Sequence, residues 1–506
     1  MPRTPAFLLT RHQLLSLIQT CPNISLLKQI QSHVLIRGLW CDNFIVARLI
    51  AFCATSNSGD LDYARLLFDH SPNPSPYAFN TIIRGYASSS TPIQSIHIFH
   101  AMLANGIYPD KYTFPFLLKA CTRTSPASFY QGPALHSLLT KCGFDRDLHV
   151  QTSLLHTYAS SNCILASKGV FDEMPQRSTV TWNALISCYS KLNLAFESLV
   201  LFGEMVMGVV EVNVDTLVSV LGSCTSLGAL MWGRCVHGFI VRKHAAVSVG
   251  AELGTSLVHM YAKCGNLDNG VRVFDAMEVR DVSAWTAMIG GLAMHGHGKE
   301  ALSHFQTMVE EGMKPDSVTF TSVLHACSHS GLVQEGLVIF HSMREVHEIE
   351  ARIEHFGIMV DLLGRAGLVR EAERFVKSMP MHPNGVIWGT LLNACVINGE
   401  LGMGERIAER ILELGLEDFD GSVYVVMSNI YAKVAKWDEV GKVREVMVNK
   451  GVKKACGHSF VEVNGIVHKF LVGDTTHPHT NEIYRLLHRI AQEIKLECYC
   501  YSSVLF

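Results

Sequence analysis

Charge is scarce in this chain of 506 residues: Asp, Glu, Lys and Arg together make up 17% of it, below the usual quarter or so. The 42 Lys and Arg nearly balance the 45 Asp and Glu, for a net charge of -3. That excludes a general polycation gripping phosphates everywhere, but leaves room for a local basic groove. Several reactive constellations are missing. No His is followed two places on by Glu, and no Cys-x-x-Cys occurs, so the ligand set of a zinc deaminase is absent. Cys498 and Cys500 form a Cys-x-Cys without partners at zinc-finger spacing. No Gly-x4-Gly-Lys-Ser/Thr phosphate loop is present. No catalytic residue, metal ligand or cofactor site is expected in this chain.

What is abundant is apolar: 48% of residues are hydrophobic, enough for a large core and too much for a disordered chain. The 15 Cys, an odd number scattered from Cys21 to Cys500, fit a reducing compartment better than a disulfide framework. The first acidic residue is Asp42, preceded by Arg3, Arg11, Lys28 and Arg37. An acid-free, Arg-bearing start is compatible with a short organelle-targeting segment at 1–10. Residues 216–233 carry no charge, but Gly and Ser punctuate them, and they read as a helix, a turn and a second helix rather than a membrane span.

Self-similarity explains that stretch. Phe79, Trp182, Trp285 and Trp388 are spaced 103 residues apart. Phe68, Phe171 and Phe274, each followed by Asp, repeat at the same interval, as do Asp110, Asn213 and Asp316, and Cys121, Cys224 and Cys327. The period divides into thirds, 76–110, 111–147 and 148–178, then 179–213, 214–250 and 251–281, then 282–316, 317–352 and 353–384. Each third reads as two helices. In 282–316 they are expected at about 285–294 and 299–312, separated by Gly296 and Gly298 and closed by Gly312 and Pro315. No sustained period-2 alternation with hairpin turns is evident. A lone helix pair of this size cannot bury both faces, so the pairs must stack, giving an all-α, right-handed superhelical α-solenoid. Gly, Ala and Ser let neighbours approach, Phe and Trp plug the gaps, and Cys121, Cys224 and Cys327 serve as small apolar packing residues. His347, Glu350, Glu354 and His355 gather at a unit junction, where a solvated helix end is expected.

The lines Phe79-Asn-Thr-Ile-Ile-Arg-Gly-Tyr ending Tyr108-Pro-Asp, and Trp285-Thr-Ala-Met-Ile-Gly-Gly-Leu ending Lys314-Pro-Asp, resemble the pentatricopeptide repeat (PPR). The alternation of long, short and 35-residue units resembles the plant PLS subclass, and Tyr261-Ala-Lys-Cys-Gly and Phe171-Asp-Glu-Met-Pro are similar to its short motif. Trp388-Gly-Thr-Leu-Leu-Asn-Ala-Cys and Ser428-Asn-Ile-Tyr-Ala resemble its E motifs, and Gly473-Asp-Thr-Thr-His-Pro continues as an E+ extension, although Cys456-Gly-His-Ser-Phe departs from the family's usual Pro-Gly-Cys-Ser-Trp. The resemblance implies an array of about eleven units over 11–384, E motifs over 385–452, and an E+-like extension with an unmatched tail over 453–506.

It also implies a role. The family reads one RNA base per helical repeat through two or three side chains. In family terms these are the fifth and last residues of a unit: Asn80 with Asp110, Thr152 with Ser178, Asn183 with Asn213, Thr255 with Asp281, and Thr286 with Asp316. Amide, hydroxyl and carboxylate groups can each meet a Watson–Crick edge. The competing reading is helix capping by the last residue, and the two can coexist. Ala47 with Ser75 makes a weak reader, and the long units offer Pro115, Val218 and Thr321 at the fifth place, mostly poor readers. Arg84, Lys119, Lys191, Lys263 and Lys299 are candidate phosphate contacts.

The expected function is a sequence-specific binder of single-stranded organellar RNA, in the mitochondrion or alternatively the chloroplast, that marks sites for C-to-U editing. The implied partners are a separate DYW-type deaminase recruited in trans and editing-complex proteins docking on the long units, with no membrane involved. One alternative is a splicing, stability or translation factor. Another is a TPR-like peptide scaffold, which has no reason to vary Asn and Thr at one aligned position.

Overall fold

The computed structural model describes residues 9–123, 131–243, 250–414, 421–452 and 457–502. The expected targeting segment at 1–10 lies almost wholly outside the described residues, as do the side chains of the tail from Cys498 onward. The chain divides into two compact units, 1–223 and 224–506.

Both units are stacks of helix pairs, the α-solenoid that the 103-residue period predicts. In the first, Pro76–Ser88 pairs with Ile93–Ala104, and Thr179–Lys191 with Ala195–Met207. In the second, Ala251–Lys263 pairs with Leu267–Ala276, Val282–Met294 with Gly298–Glu310, and Ser317–Ser330 with Val333–Glu345. First helices pack on first helices: Val282–Met294 lies between Ala251–Lys263 and Ser317–Ser330. The helix Val282–Met294 starts three residues before the expected 285, because the Asp281 carboxylate accepts the Ala284 N–H at 2.8 Å and caps it there. Gly298, read as a breaker, opens the next helix instead, and the stop between the two is left to Gly296 at φ +77°. The charge-free stretch forms two helices, Val214–Leu227 and Leu230–Lys243, with Gly228 left-handed between them. Among the described residues no helix is long and apolar enough to cross a membrane.

Small residues set the spacing. A Cβ on Gly364 would stand 2.6 Å from Ala394 Cβ, and one on Gly291 would stand 2.9 Å from Ala262 Cβ. The first helices of neighbouring pairs therefore touch backbone to side chain. Cys327 packs the same way against Gly336, and burial pushes its thiol up to about 12. Cys121 and Cys224 are also buried and shifted upward for the same reason, in keeping with their packing role. Aromatic pairs recur with the period. Phe68 meets Phe79 edge-on at 4.8 Å, and Phe171–Trp182 and Phe274–Trp285 repeat the contact at 4.9 Å. Arg177 and Arg280 lie over the Phe ring in the latter two.

The fold is helical as expected, but the reading that no hairpin is present fails in one place. His458–Val463 and Ile466–Leu471 form an antiparallel hairpin, followed by the helix Thr480–Ser502. Asn464 and Gly465 turn it with φ of +52° and +78°, the left-handed pair that a two-residue turn matched to strand twist requires. The hairpin lies on the N-terminus of the helix Leu230–Lys243. Glu462 Oε2 accepts the Met231 N–H at 2.9 Å, and the Trp232 indole N–H donates to the Gly465 carbonyl at 3.2 Å. That helix has no acidic residue in its own first turn, so Glu462 supplies the negative charge its N-terminus favours.

Candidate nucleic-acid interface

The five polar pairs all fall on the first-helix layer. The fifth residue of each unit sits one turn into a first helix, and the last residue caps the first helix of the next unit. Capping and pairing are carried by the same atoms. Asp110 Oδ1 accepts the N–H groups of Tyr112 at 2.9 Å and Thr113 at 3.0 Å, and also the Asn80 amide N–H at 3.0 Å. The Thr113 hydroxyl lies 2.7 Å from Asn80 Oδ1. An acceptor-only carboxylate must face the NH2 side of Asn80, so the amide has one orientation. Asn183 repeats the arrangement: its amide N–H donates to Asn213 Oδ1 at 2.7 Å, that oxygen is fixed by the Thr216 N–H at 3.0 Å, and the Thr216 hydroxyl bonds Asn183 Oδ1.

The threonine pairs are built differently. Thr152 and Ser178 are linked through Thr181, whose Oγ1 is 3.3 Å from Thr152 Oγ1 and 2.9 Å from Ser178 Oγ. Thr286 and Asp316 are linked through Thr319, 2.8 Å from Thr286 Oγ1 and donating to Asp316 Oδ1 at 2.9 Å. Thr255 and Asp281 are not linked; Asp281 only caps its helix, and Thr255 Oγ1 is buried without a partner. In the second unit, Thr255, Thr286 and Asp316 line one groove of about 700 Å3, together with His259, Lys263 and Val318. Asp281 is not part of its wall.

Desolvation by the groove walls, then the charge of Lys263, holds His259 below its ordinary value. His325, also in the groove, is lowered by desolvation and by His329. Both imidazoles favour the neutral form, leaving Lys263 as the groove's cation. Of the other candidate cations, Arg84 lies over the Phe116 ring at 5.6 Å and Lys119 donates to Ser88 at 3.1 Å. Lys191 closes the last turn of its helix, and Lys299 lies on the second helix Gly298–Glu310, away from the pairs.

Two features escape a reading by fifth and last residues. Two places after the last residue stand exposed apolar side chains, Tyr77, Tyr112, Val180 and Val318. An apolar face beside a polar pair is a surface on which a planar ring can stack. The signal was available: apolar residues at the second place of a capped first turn have no core to enter. The junction histidines also differ from expectation. His355 is fully buried rather than solvated: its Nδ1 accepts the Arg352 N–H at 2.9 Å and its Nε2–H donates to the Ser317 carbonyl at 2.9 Å. His347 stacks edge-on against Phe320 at 5.2 Å. Among the described residues no three metal-binding side chains come together.

These repeated capped helix pairs define a helical repeat protein. PPR repeats match at 77–107, 180–207, 255–282, 318–346 and 354–382, and the PPR repeat family at 280–329. The E motif matches at 398–462 and the E+ motif at 467–494. A pentatricopeptide repeat-containing protein of Arabidopsis thaliana is 36% identical over 96% of this chain and 80% of its own length. Another from the same plant, described as chloroplastic/mitochondrial, is 38% identical over 96% of this chain and 77% of its own. A crystal structure of the pentatricopeptide repeat protein PPR10 from maize covers 89% of this chain and 90% of that one, at 14% identity and a TM-score of 0.32. The chain belongs to the pentatricopeptide repeat-containing proteins, with E and E+ motifs following the repeats.

Proposed function

We propose that this protein binds single-stranded RNA in an organelle, base by base, and marks a cytidine for editing by a deaminase recruited in trans. The observation that carries the reading is the polar pair at a fixed phase of the first helices, followed at Asp110, Ser178 and Asp316 by an exposed apolar side chain, with Thr255, Thr286 and Asp316 sharing a groove with Lys263. Stacking supplies affinity for any base, and the polar pair supplies choice among bases. Arabidopsis relatives described as chloroplastic, or chloroplastic/mitochondrial, support an organelle. The mitochondrion stands first and the plastid second. The editing role rests on the E and E+ motifs, and the need for a partner rests on the missing His-x-Glu and Cys-x-x-Cys. Proteins of the editing complex would dock on the long units.

In the family's code Thr with Asp prefers G, Asn with Asp U, Asn with Asn C or U, and Thr with Ser A, and its register puts the last short unit, 353–384, four bases before the edited C; one base per unit, with the chain parallel to the RNA, then gives the site 5′-U-N-A-Y-N-G-G-N-N-N-N-N-C, edited at the last position. Purified protein mixed with such an RNA should leave the cytidine intact, and adding a DYW-type deaminase should convert it. Conversion by the isolated chain would overturn the recruitment in trans. No change in any organellar transcript of a plant lacking the protein would overturn the editing role.

A further inference from the structure

We infer that the reading pairs of Asn80, Asn183 and Thr286 have a third member, the third residue of the following unit, which fixes the fifth residue's hydrogen-bonding sense, and that Thr255 lacks this member because the place is held by Ala284; at Thr152 the Leu148 carbonyl, 2.6 Å from the hydroxyl, holds the proton instead. The inference rests on the base-reading proposal and deepens it. The sequence pairs the two places, fifth and following third, consistently. Where the fifth residue is polar so is the third: Asn80 with Thr113, Thr152 with Thr181, Asn183 with Thr216, Thr286 with Thr319, and Thr321 with His355. Where it is apolar the third is apolar: Ala47 with Ala78, Pro115 with Val150, Val218 with Leu253. Thr255 with Ala284 breaks the pattern, and there the fifth-place hydroxyl is buried with no partner.

Proton counting gives the consequence. Thr319 has one hydroxyl proton. Its Oγ1 is 2.9 Å from the Asp316 carboxylate, the stronger acceptor, and 2.8 Å from Thr286 Oγ1. The Thr319 proton goes to Asp316, so the proton between the two threonines comes from Thr286. Thr286 then offers the groove an oxygen that only accepts. Such a group suits a base edge that donates, as guanine does through N1–H and N2–H2, and disfavours one that presents a carbonyl. At Asn80 and Asn183 the amide oxygen can only accept, so the single Thr113 or Thr216 proton goes to it, although Asp110 or Asn213 Oδ1 lies 3.0 or 2.8 Å from the same hydroxyl; one amide N–H is held by that last residue, and the second N–H is the group left to face a base. Thr255, with nothing to hold its proton, can donate or accept. Two units with the same pair, Thr and Asp, should therefore discriminate unequally, Thr286 sharply and Thr255 weakly.

The test uses the full chain with Thr319→Ala, Thr319→Ser and Ala284→Thr. Selection from a randomised RNA pool first locates the positions read by the two units, and fluorescence anisotropy then measures affinity with each base at each position. The ratio of best to worst base should be larger at the Thr286 position. Thr319→Ala should reduce that ratio about three- to tenfold, the worth of one hydrogen bond, and Thr319→Ser should restore it. Ala284→Thr should raise the ratio at the Thr255 position by a similar factor. It should fold, because the equivalent places in four other units hold a fully buried Thr. A thermal melt separates lost capping in Thr319→Ala from lost discrimination, and the serine variant keeps the cap. If both positions discriminate and no substitution changes either ratio, the third member has no such role while base reading stands. If neither position discriminates in the unsubstituted protein, base reading itself fails.

Discussion

Asn80 and Thr286 stand at the same phase of their units, yet they reach their last residues in different ways. Asn80 touches Asp110 directly, whereas Thr286 reaches Asp316 only through Thr319. The amide is one heavy atom longer and branched, so it spans the gap and still receives a hydroxyl on its oxygen. The shorter threonine needs an intermediary. The difference teaches that a pair of residue types does not define a site; what lies between them decides which donors and acceptors remain unpaired.

The largest expected effect breaks the shared platform beneath both sites. Phe79 and Trp285 are buried next to Asn80 and Thr286 and meet Phe68 and Phe274 edge-on. Phe79→Ala or Trp285→Ala should each cost about 3–5 kcal/mol, because an aromatic-sized cavity remains in a close-packed stack. Urea unfolding followed by circular dichroism measures this, and a loss below about 1 kcal/mol would mean the stack tolerates the gap. The next effect sharpens the comparison at the site itself. Asn80→Thr should shift the preferred base from U toward G and weaken binding to the U-containing RNA roughly 5–30-fold, about 1–2 kcal/mol for a lost matched contact. Gel shifts with U and G at that position decide it, and an unchanged preference would remove Asn80 from the readers.

Asp110→Ala should act on both functions at once. It removes the carboxylate that accepts the Tyr112 and Thr113 N–H groups, costing about 0.5–2 kcal/mol in stability, and it frees the Asn80 amide to rotate, flattening base preference at that position. A destabilised protein with intact base preference would show that capping alone is the role of Asp110. The smallest effect is on pH. His156, His237, His259 and His325 are all held below the ordinary histidine value by desolvation. In the unfolded chain they take up protons near pH 6.5, so below that pH the unfolded state binds more protons and stability falls. Stability should be full above about 6.5 and decline as the pH drops through 6. A urea midpoint that rises between pH 7.5 and 5.5 would contradict the direction of those shifts.

Much of the fold was legible because a 103-residue period is a physical constraint: each pair must present the same faces to its neighbours. The polar pairs were legible for the same reason, since they recur at one phase. The hairpin was not. Its Asn464-Gly465 turn is a strong signal, but Val461, Val463 and Ile466 share one face while Phe460, Val467 and Leu471 share the other, so apolar residues stand on both faces and the alternation that marks a half-buried strand is blurred. The bridging threonines were hidden for another reason. Thr113 and Asn80, like Thr319 and Thr286, are 33 residues apart and belong to different units, so a unit-by-unit reading never sets them side by side. His355 looked solvated because Glu350 and Glu354 stand nearby in sequence, whereas its ring points into the preceding helix start at Ser317.

The most direct test of base reading is a gel-shift series on 5′-U-N-A-Y-N-G-G-N-N-N-N-N-C with one base changed at a time. Changing either adjacent G should weaken binding several-fold, more at the Thr286 position than at the Thr255 position, while changing the N between Y and the G pair should have little effect. Equal responses at all three positions would contradict the reading of bases by Thr255, Asp281, Thr286 and Asp316.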